Sequence, residues 1–173
     1  MLLLIFCLIS MKIEMFQHPI FLDTETTGIA DCRLVELAWS EPSGRILTVR
    51  AKPPIPISEE AVAVHGITED DVKGLPAFAD NIQYDKIKKM VEENVVIAHN
   101  APFDIGVLAR EGITVHNFID TQAVAKRLYP CLKSYSLQSL RAHFNLEVEG
   151  EAHSAKGDVA VLIALYTRMA RDV

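Results

Sequence analysis

The chain has 173 residues, half of them hydrophobic, which suits one domain with a sizeable core and leaves little room for a second. Its net charge of −6 argues against a passive nucleic-acid coat held by basic residues, but not against an enzyme whose metal ions supply the attraction. Cys7, Cys32 and Cys131 are far apart and form no CxxC pair, which argues against a disulfide framework or a zinc site and fits a reducing cytoplasm.

The chain opens on an unbroken apolar run, MLLLIFCLI (1–9). That run is too short to span a bilayer, and no Lys or Arg precedes it as a secretory signal requires. Residues 1–15 are therefore read as an apolar extension, with translation starting at Met11 or Met15 and no membrane role. HPIFLDT (18–24) reads as a buried strand entering a TTG turn. RLVELAWSE (33–41) alternates and reads as a second strand, and after the Pro42-Ser43-Gly44 turn RILTVRAK (45–52) reads as a third. Three strands with short connections predict an antiparallel meander.

Beyond Pro53–Pro56 helices dominate. ISEEAVAVHG and TEDDVKG each carry a capping residue, Ser58 and Thr68, ahead of acidic residues. Ala77 to Asn94 has helical periodicity. ENVVIAHN (93–100) predicts a buried strand, because VVIA is short and β-branched. Pro102 to Gly112 is a helix with proline in its first turn and glycine after its end. HNFIDT (116–121) is a short strand, followed by helices over TQAVAKRLYP, SLQSLRAHF and, last, Ala155 to Arg171. A meander followed by βαβ units implies an α/β fold with a mixed, central five-stranded sheet flanked by helices.

The chemistry concentrates at three places. Asp23 and Glu25 stand two apart at the end of the first strand, so they share one face while Thr24 takes the other. Two carboxylates on one face repel each other unless a cation or proton lies between them. Asp104 opens a helix just after a strand expected to lie beside the first, and Asp158 opens the last helix. Each could be a plain partner of its helix dipole. His153 and Asp158 would be about 140° apart on one continuous helix. They can converge only if His153 lies on the preceding loop.

The stretches FLDTETTG (21–28), AHNAPFD (98–104) and HSAKGD (153–158), in that order and spacing, resemble the DEDDh group of 3′–5′ exonucleases, which have an RNase H-like fold. AVAVHGIT (61–68) and SYSLQSL (134–140) are lesser matches. TQAVAKRLYP followed by KSYSLQSL is similar to exodeoxyribonuclease X and its relatives and to the epsilon proofreading subunits of replicative DNA polymerases. The resemblance covers residues 18 to 170 and makes 16–173 an exonuclease domain. It implies that Asp23, Glu25, Asp104, Asp158 and His153 are catalytic and that the four carboxylates hold two Mg²⁺ or Mn²⁺ ions. Asp23 would bridge the ions, Glu25 and Asp158 would bind the water-side ion, and Asp104 would act through water on the leaving-group ion. His153 would be the general base.

The resemblance further implies that Thr26 and Thr27 meet the terminal sugar, with Gly28 completing that substrate-binding turn. His65 could border the terminal base or cap the following turn. Phe103 could border the base or pack into the core. Lys156 is a phosphate candidate, whereas Lys86, Lys88 and Lys89 read as a solvated face, and Trp39 and Tyr129 read as core. The expected partner is nucleic acid with a free 3′ end, single-stranded DNA first, with a DNA polymerase as a protein partner. Two rival readings share these residues: an exoribonuclease of the RNase T or oligoribonuclease type, and a module that docks on a polymerase.

Overall fold

The computed structural model describes residues 19–148 and 154–173. The apolar segment 1–15 and His153 lie outside the described residues. Three antiparallel strands come first: β1 (Ile20–Thr26), β2 (Leu34–Ser40) and β3 (Ile46–Arg50). Two short helices follow, α1 (Glu59–His65) and the single turn α2 (Glu69–Val72). Then come α3 (Tyr84–Glu93), β4 (Val95–Ala98), α4 (Ala101–Arg110), β5 (Asn117–Asp120), α5 (Thr121–Leu128), α6 (Leu137–His143) and α7 (Ala155–Arg171). The sheet order is β3-β2-β1-β4-β5, with β4 parallel to both β1 and β5. This is the mixed five-stranded sheet flanked by helices that the strand and helix pattern predicts.

The period of two along β1 divides the molecule into layers. Ile20 and Leu22 pack with Ile87, Val107 and Leu108 of α3 and α4. Phe21 packs on the opposite face, with Val159, Ile163, Leu162 and Tyr166 of α7. β2 alternates in the same way, Leu37 and Trp39 facing one layer and Ala38 the other. All seven of its residues are nevertheless buried, because α7 covers the second face as well. Glu36 is tolerated there because Arg50 of β3 pairs with it at 2.7 Å. The buried VVIA of β4 follows from the same two-sided cover.

A bulge interrupts the β1–β2 register between Glu25↔Glu36 and Thr26↔Leu34. Val35 falls in it and joins Ile57, Ala61, Ile67 and Val72 in a satellite core under α1 and α2. The bulge thus ties the end of β1 to the two short helices. Both expected caps form: Ser58 Oγ accepts from Ala61 N, and Asp71 accepts from Thr68 N at 2.8 Å.

One predicted element is broken. The periodicity over 77–94 implies one helix, but a 3₁₀ turn (Phe78–Asp80) precedes α3. Asn81 is extended and its Oδ1 accepts from Gln83 N, which competes with helix continuation. The break lets Phe78 enter the core and meet Tyr84 edge to face at 5.5 Å. Lys86 pairs with Glu41 at the surface, in keeping with a solvated face. No helix among the described residues is long and apolar enough to cross a membrane.

The position of α7 depends on its apolar stripe. Leu162, 1% exposed, sits on Val95 and Ile97, while Leu165 and Met169 pack with Ala125 of α5 and Leu140 of α6. Leu162→Ala should cost about 2–5 kcal/mol, the range for a buried leucine whose site relaxes only in part. Urea denaturation of parent and variant measures it. A loss under about 1 kcal/mol would contradict this docking.

Candidate active site

Asp23 and Glu25 lie on the α7 side of β1, as their spacing requires. Asp158, in the first turn of α7, meets them there. One carboxylate oxygen from each of the three lies within 4.8 Å of the others. Ser154 caps α7, its Oγ accepting from Gly157 N, so the positive end of the helix dipole also faces the cluster. Gln138 of α6 donates from Nε2 to Asp158 Oδ1 at 2.6 Å.

Asp104 approaches from the other layer. It stands in the first turn of α4, 3% exposed, and its Oδ1 accepts from Thr24 N at 3.1 Å and Thr24 Oγ1 at 2.8 Å. Thr24, which points away from Asp23 and Glu25, thereby fixes the fourth carboxylate. The entry to α4 is set by Asn100 in the left-handed region (φ 62°), whose N–H donates to Asp120 Oδ1 at 2.9 Å. Next to it, His99 holds Thr121 Oγ1 at 2.9 Å and the Tyr135 carbonyl at 2.8 Å through its two ring nitrogens. This links the ends of β4, β5 and the loop before α6.

Burial and mutual repulsion dominate the electrostatics. Burial pushes the Glu25 carboxyl from its ordinary 4.5 up to about 8, with Asp158, Glu36 and Asp104 adding to the rise. Burial raises Asp104 to about 7 against the pull of the Thr24 hydrogen bonds. Asp23 is raised well above the usual carboxylate range by burial and then by Asp104, Glu25 and Asp158. Groups of this kind resist ionising side by side unless a cation joins them. The donor set is all oxygen, so the cluster could hold a metal ion, and a hard cation suits it.

A cavity of about 530 Å³ opens beside Glu25, bordered by Thr26, Gly28, Ile29, Val64, His65 and Phe103. Thr26 Oγ1 donates to the Gly28 carbonyl at 2.6 Å, which closes the turn. Thr27 is 4% exposed, and its hydroxyl accepts from Arg33 N, so its side chain holds the turn and does not line the cavity. His65 caps the turn, its Nδ1 accepting from Ile67 N, and its ring also borders the cavity. Its Nε2 therefore carries the proton and donates to the Thr26 carbonyl at 3.1 Å. Phe103 likewise packs against the core while bordering the cavity. Lys156 is exposed on the first turn of α7, two residues before Asp158.

Three residues of the site escaped the sequence reading. Glu36 stands opposite Glu25 across the sheet, which only the register reveals. The signal for it was a lone acid inside an apolar strand. His99 lay within a recognised motif, but nothing in the sequence pairs it with Thr121 and Tyr135. Gln138 lay within SYSLQSL without any mark of its contact to Asp158.

A mixed β3-β2-β1-β4-β5 sheet with carboxylates gathered where β1, α4 and α7 meet defines an α/β nuclease domain of the RNase H-like class. The chain belongs to the RNase T exonuclease family, which it matches over residues 20–166, and it is an exonuclease. It is 32% identical over 171 residues to the DNA polymerase III subunit epsilon of Rickettsia prowazekii, covering 88% of this chain and 73% of that one. It is 29% identical to an uncharacterized exonuclease, CP81, of Escherichia phage 186, covering 88% of each. Among solved structures it is similar to exonuclease X in complex with 5′ overhanging duplex DNA, with a TM-score of 0.74 and 28% identity over 88% of this chain and 91% of that one.

The raised carboxyls make a signed prediction for the metal-free protein. Glu25 and Asp104 bind protons more tightly folded than unfolded, so their contribution is full below about pH 4 and is lost as pH rises through about 7–8. In EDTA the melting temperature should therefore fall between about pH 5 and 8.5. Glu25→Gln should flatten that fall, and Asp23→Asn should melt no lower than the parent at pH 8. Circular dichroism melts across this range test it. A profile that rises toward pH 8.5 would show that the carboxylates do not crowd one another.

Proposed function

We propose that the chain removes nucleotides one at a time from the 3′ end of DNA by metal-dependent hydrolysis of the phosphodiester. The observation that carries this is the set of three carboxylate oxygens within 4.8 Å of one another, beside a cavity of about 530 Å³. Asp23, Glu25 and Asp158 would hold the ion pair, with Asp104 at its margin, and Mg²⁺ or Mn²⁺ are the hard cations that match such donors. Bound divalent ions supply Lewis-acid charge that offsets the negative phosphate. Every other role falls to the chain. Thr26 and Gly28 receive the terminal sugar on the turn that Thr27 holds, and His65 and Phe103 border the base. Lys156 meets a phosphate oxygen. His153 accepts the proton of the attacking water. All of these groups lie within 16–173, the proposed exonuclease domain.

Single-stranded DNA with a free 3′ end is the proposed substrate, and the protein is proposed to work in the cytoplasm. The likeness to exonuclease X bound to a 5′ overhanging duplex favours a recessed 3′ end as a second substrate. The likeness to a polymerase subunit makes a DNA polymerase the proposed protein partner.

Two experiments follow. Linear and circular single-stranded DNA and RNA of the same sequence are incubated with Mg²⁺ or with EDTA. The linear DNA should shorten from its 3′ end, the circle should survive, and EDTA should abolish cleavage. Cleavage in EDTA would end the metal reading, efficient cutting of the circle would end the exonuclease reading, and faster digestion of RNA would make this an exoribonuclease.

His153→Ala should lower turnover by roughly 10²–10⁴, the usual worth of a general base, while metal binding stays nearly intact. The parent rate should rise with pH as an imidazole loses its proton, and that limb should be missing from the variant. Near-normal turnover would remove His153 from the mechanism.

A further inference from the structure

We propose that Gln138 is a positioning residue: its side-chain amide holds Asp158 in the orientation that completes the cation site with Asp23 and Glu25. The proposal rests on the metal-binding reading of that cluster. It starts from a difference among the three acids. Asp23 and Glu25 stand on one face of β1, where the pleat and the β2 ladder set their directions. Asp158 comes instead from the first turn of a helix in another layer, so its direction depends on what braces it.

Gln138 is such a brace. Nε2 lies 2.6 Å from Asp158 Oδ1. An ionised carboxylate only accepts, so the amide must present its NH₂ group to it. The amide takes up one of the carboxylate's roughly four acceptor positions. The donor is also neutral. A lysine or arginine there would cancel the charge that attracts the metal, whereas glutamine orients Asp158 and leaves that charge in place. In the metal-free protein the brace opposes the repulsion between Asp158 and Glu25.

The brace is itself anchored. Gln138 is the second residue of α6, whose start is fixed by Ser136 Oγ accepting from Ser139 N. Leu140, fully buried, packs with Leu165 and Met169 of α7. Just before the helix, the Tyr135 carbonyl accepts from His99 at the end of β4. Thus α6 is tied both to the helix that carries Asp158 and to the strand beside β1.

The test uses the full chain and Mn²⁺ as the probe. Binding is followed by calorimetry for the parent, Gln138→Leu and Asp158→Asn, and DNA digestion is followed as a function of Mg²⁺ concentration. Gln138→Leu should bind Mn²⁺ roughly 10–100-fold more weakly, the usual effect of removing a group that orients a metal ligand. The Mg²⁺ concentration for half-maximal turnover should rise by a similar factor. The KM for DNA and the metal-free melting temperature should stay close to the parent's, and excess Mg²⁺ should restore turnover. If Gln138→Leu does not fold, Gln138→Met carries the same expectation. If Asp158→Asn weakens Mn²⁺ binding and the Gln138 variants do not, the positioning role is wrong while the cluster reading stands. If Asp158→Asn leaves Mn²⁺ binding unchanged, the cluster reading fails, and the positioning role with it.

Discussion

The repulsion among carboxylates at the end of β1 is the constraint on which the rest of the arrangement depends. Asp23, Glu25 and Asp158 bring oxygens within 4.8 Å of one another, and Asp104 adds its charge from the opposite layer. Hydrophobic packing elsewhere must hold this cluster together, because the groups themselves would separate. The packing does so from two sides. The stripe of α7 on β1, β2 and β4 delivers Asp158, and α4, docked through Val107 and Leu108, delivers Asp104.

Two of the acids are restrained by neutral hydrogen-bond donors. Thr24 holds Asp104 through both its N–H and its hydroxyl, and Gln138 holds Asp158. Neither donor carries charge, so each orients an acid without lowering the field that would draw a cation. A cationic pair near the cluster, Arg50 with Glu36, has a different effect. It binds a further acid directly across from Glu25, although Glu36 still adds to the rise of the Glu25 carboxyl.

The cavity beside Glu25 is built by turns rather than by long elements. The bulge in β2 sends Val35 under α1 and α2, and that satellite core fixes α1 against the turn after β1. Ser58 N donates to the Thr27 carbonyl, and His65 donates to the Thr26 carbonyl. The walls of the cavity are therefore joined to the strand that carries Asp23 and Glu25. The cavity and the acidic cluster share one scaffold, as the proposed positioning of a terminal nucleotide against its reacting phosphate requires.

The local features were legible in the sequence because they are local in physics. Period-two alternation set which side chains of β1 share a face, capping residues marked α1 and α2, and β-branched VVIA marked a buried strand. The order and spacing of FLDTETTG, AHNAPFD and HSAKGD identified the exonuclease family before any contact was known. What depended on distance along the chain was not legible. The break before α3 arises because Asn81 competes with the helix and Phe78 gains a place in the core. Glu36 meets Glu25 only through the strand register, and Asp104 meets Thr24 across 80 residues. Gln138 reaches Asp158 only because Leu140, Leu165 and Met169 pack two helices together. Periodicity and motif spacing carry the geometry of one element, whereas the direction of a side chain in a shared site is decided by how separate elements pack.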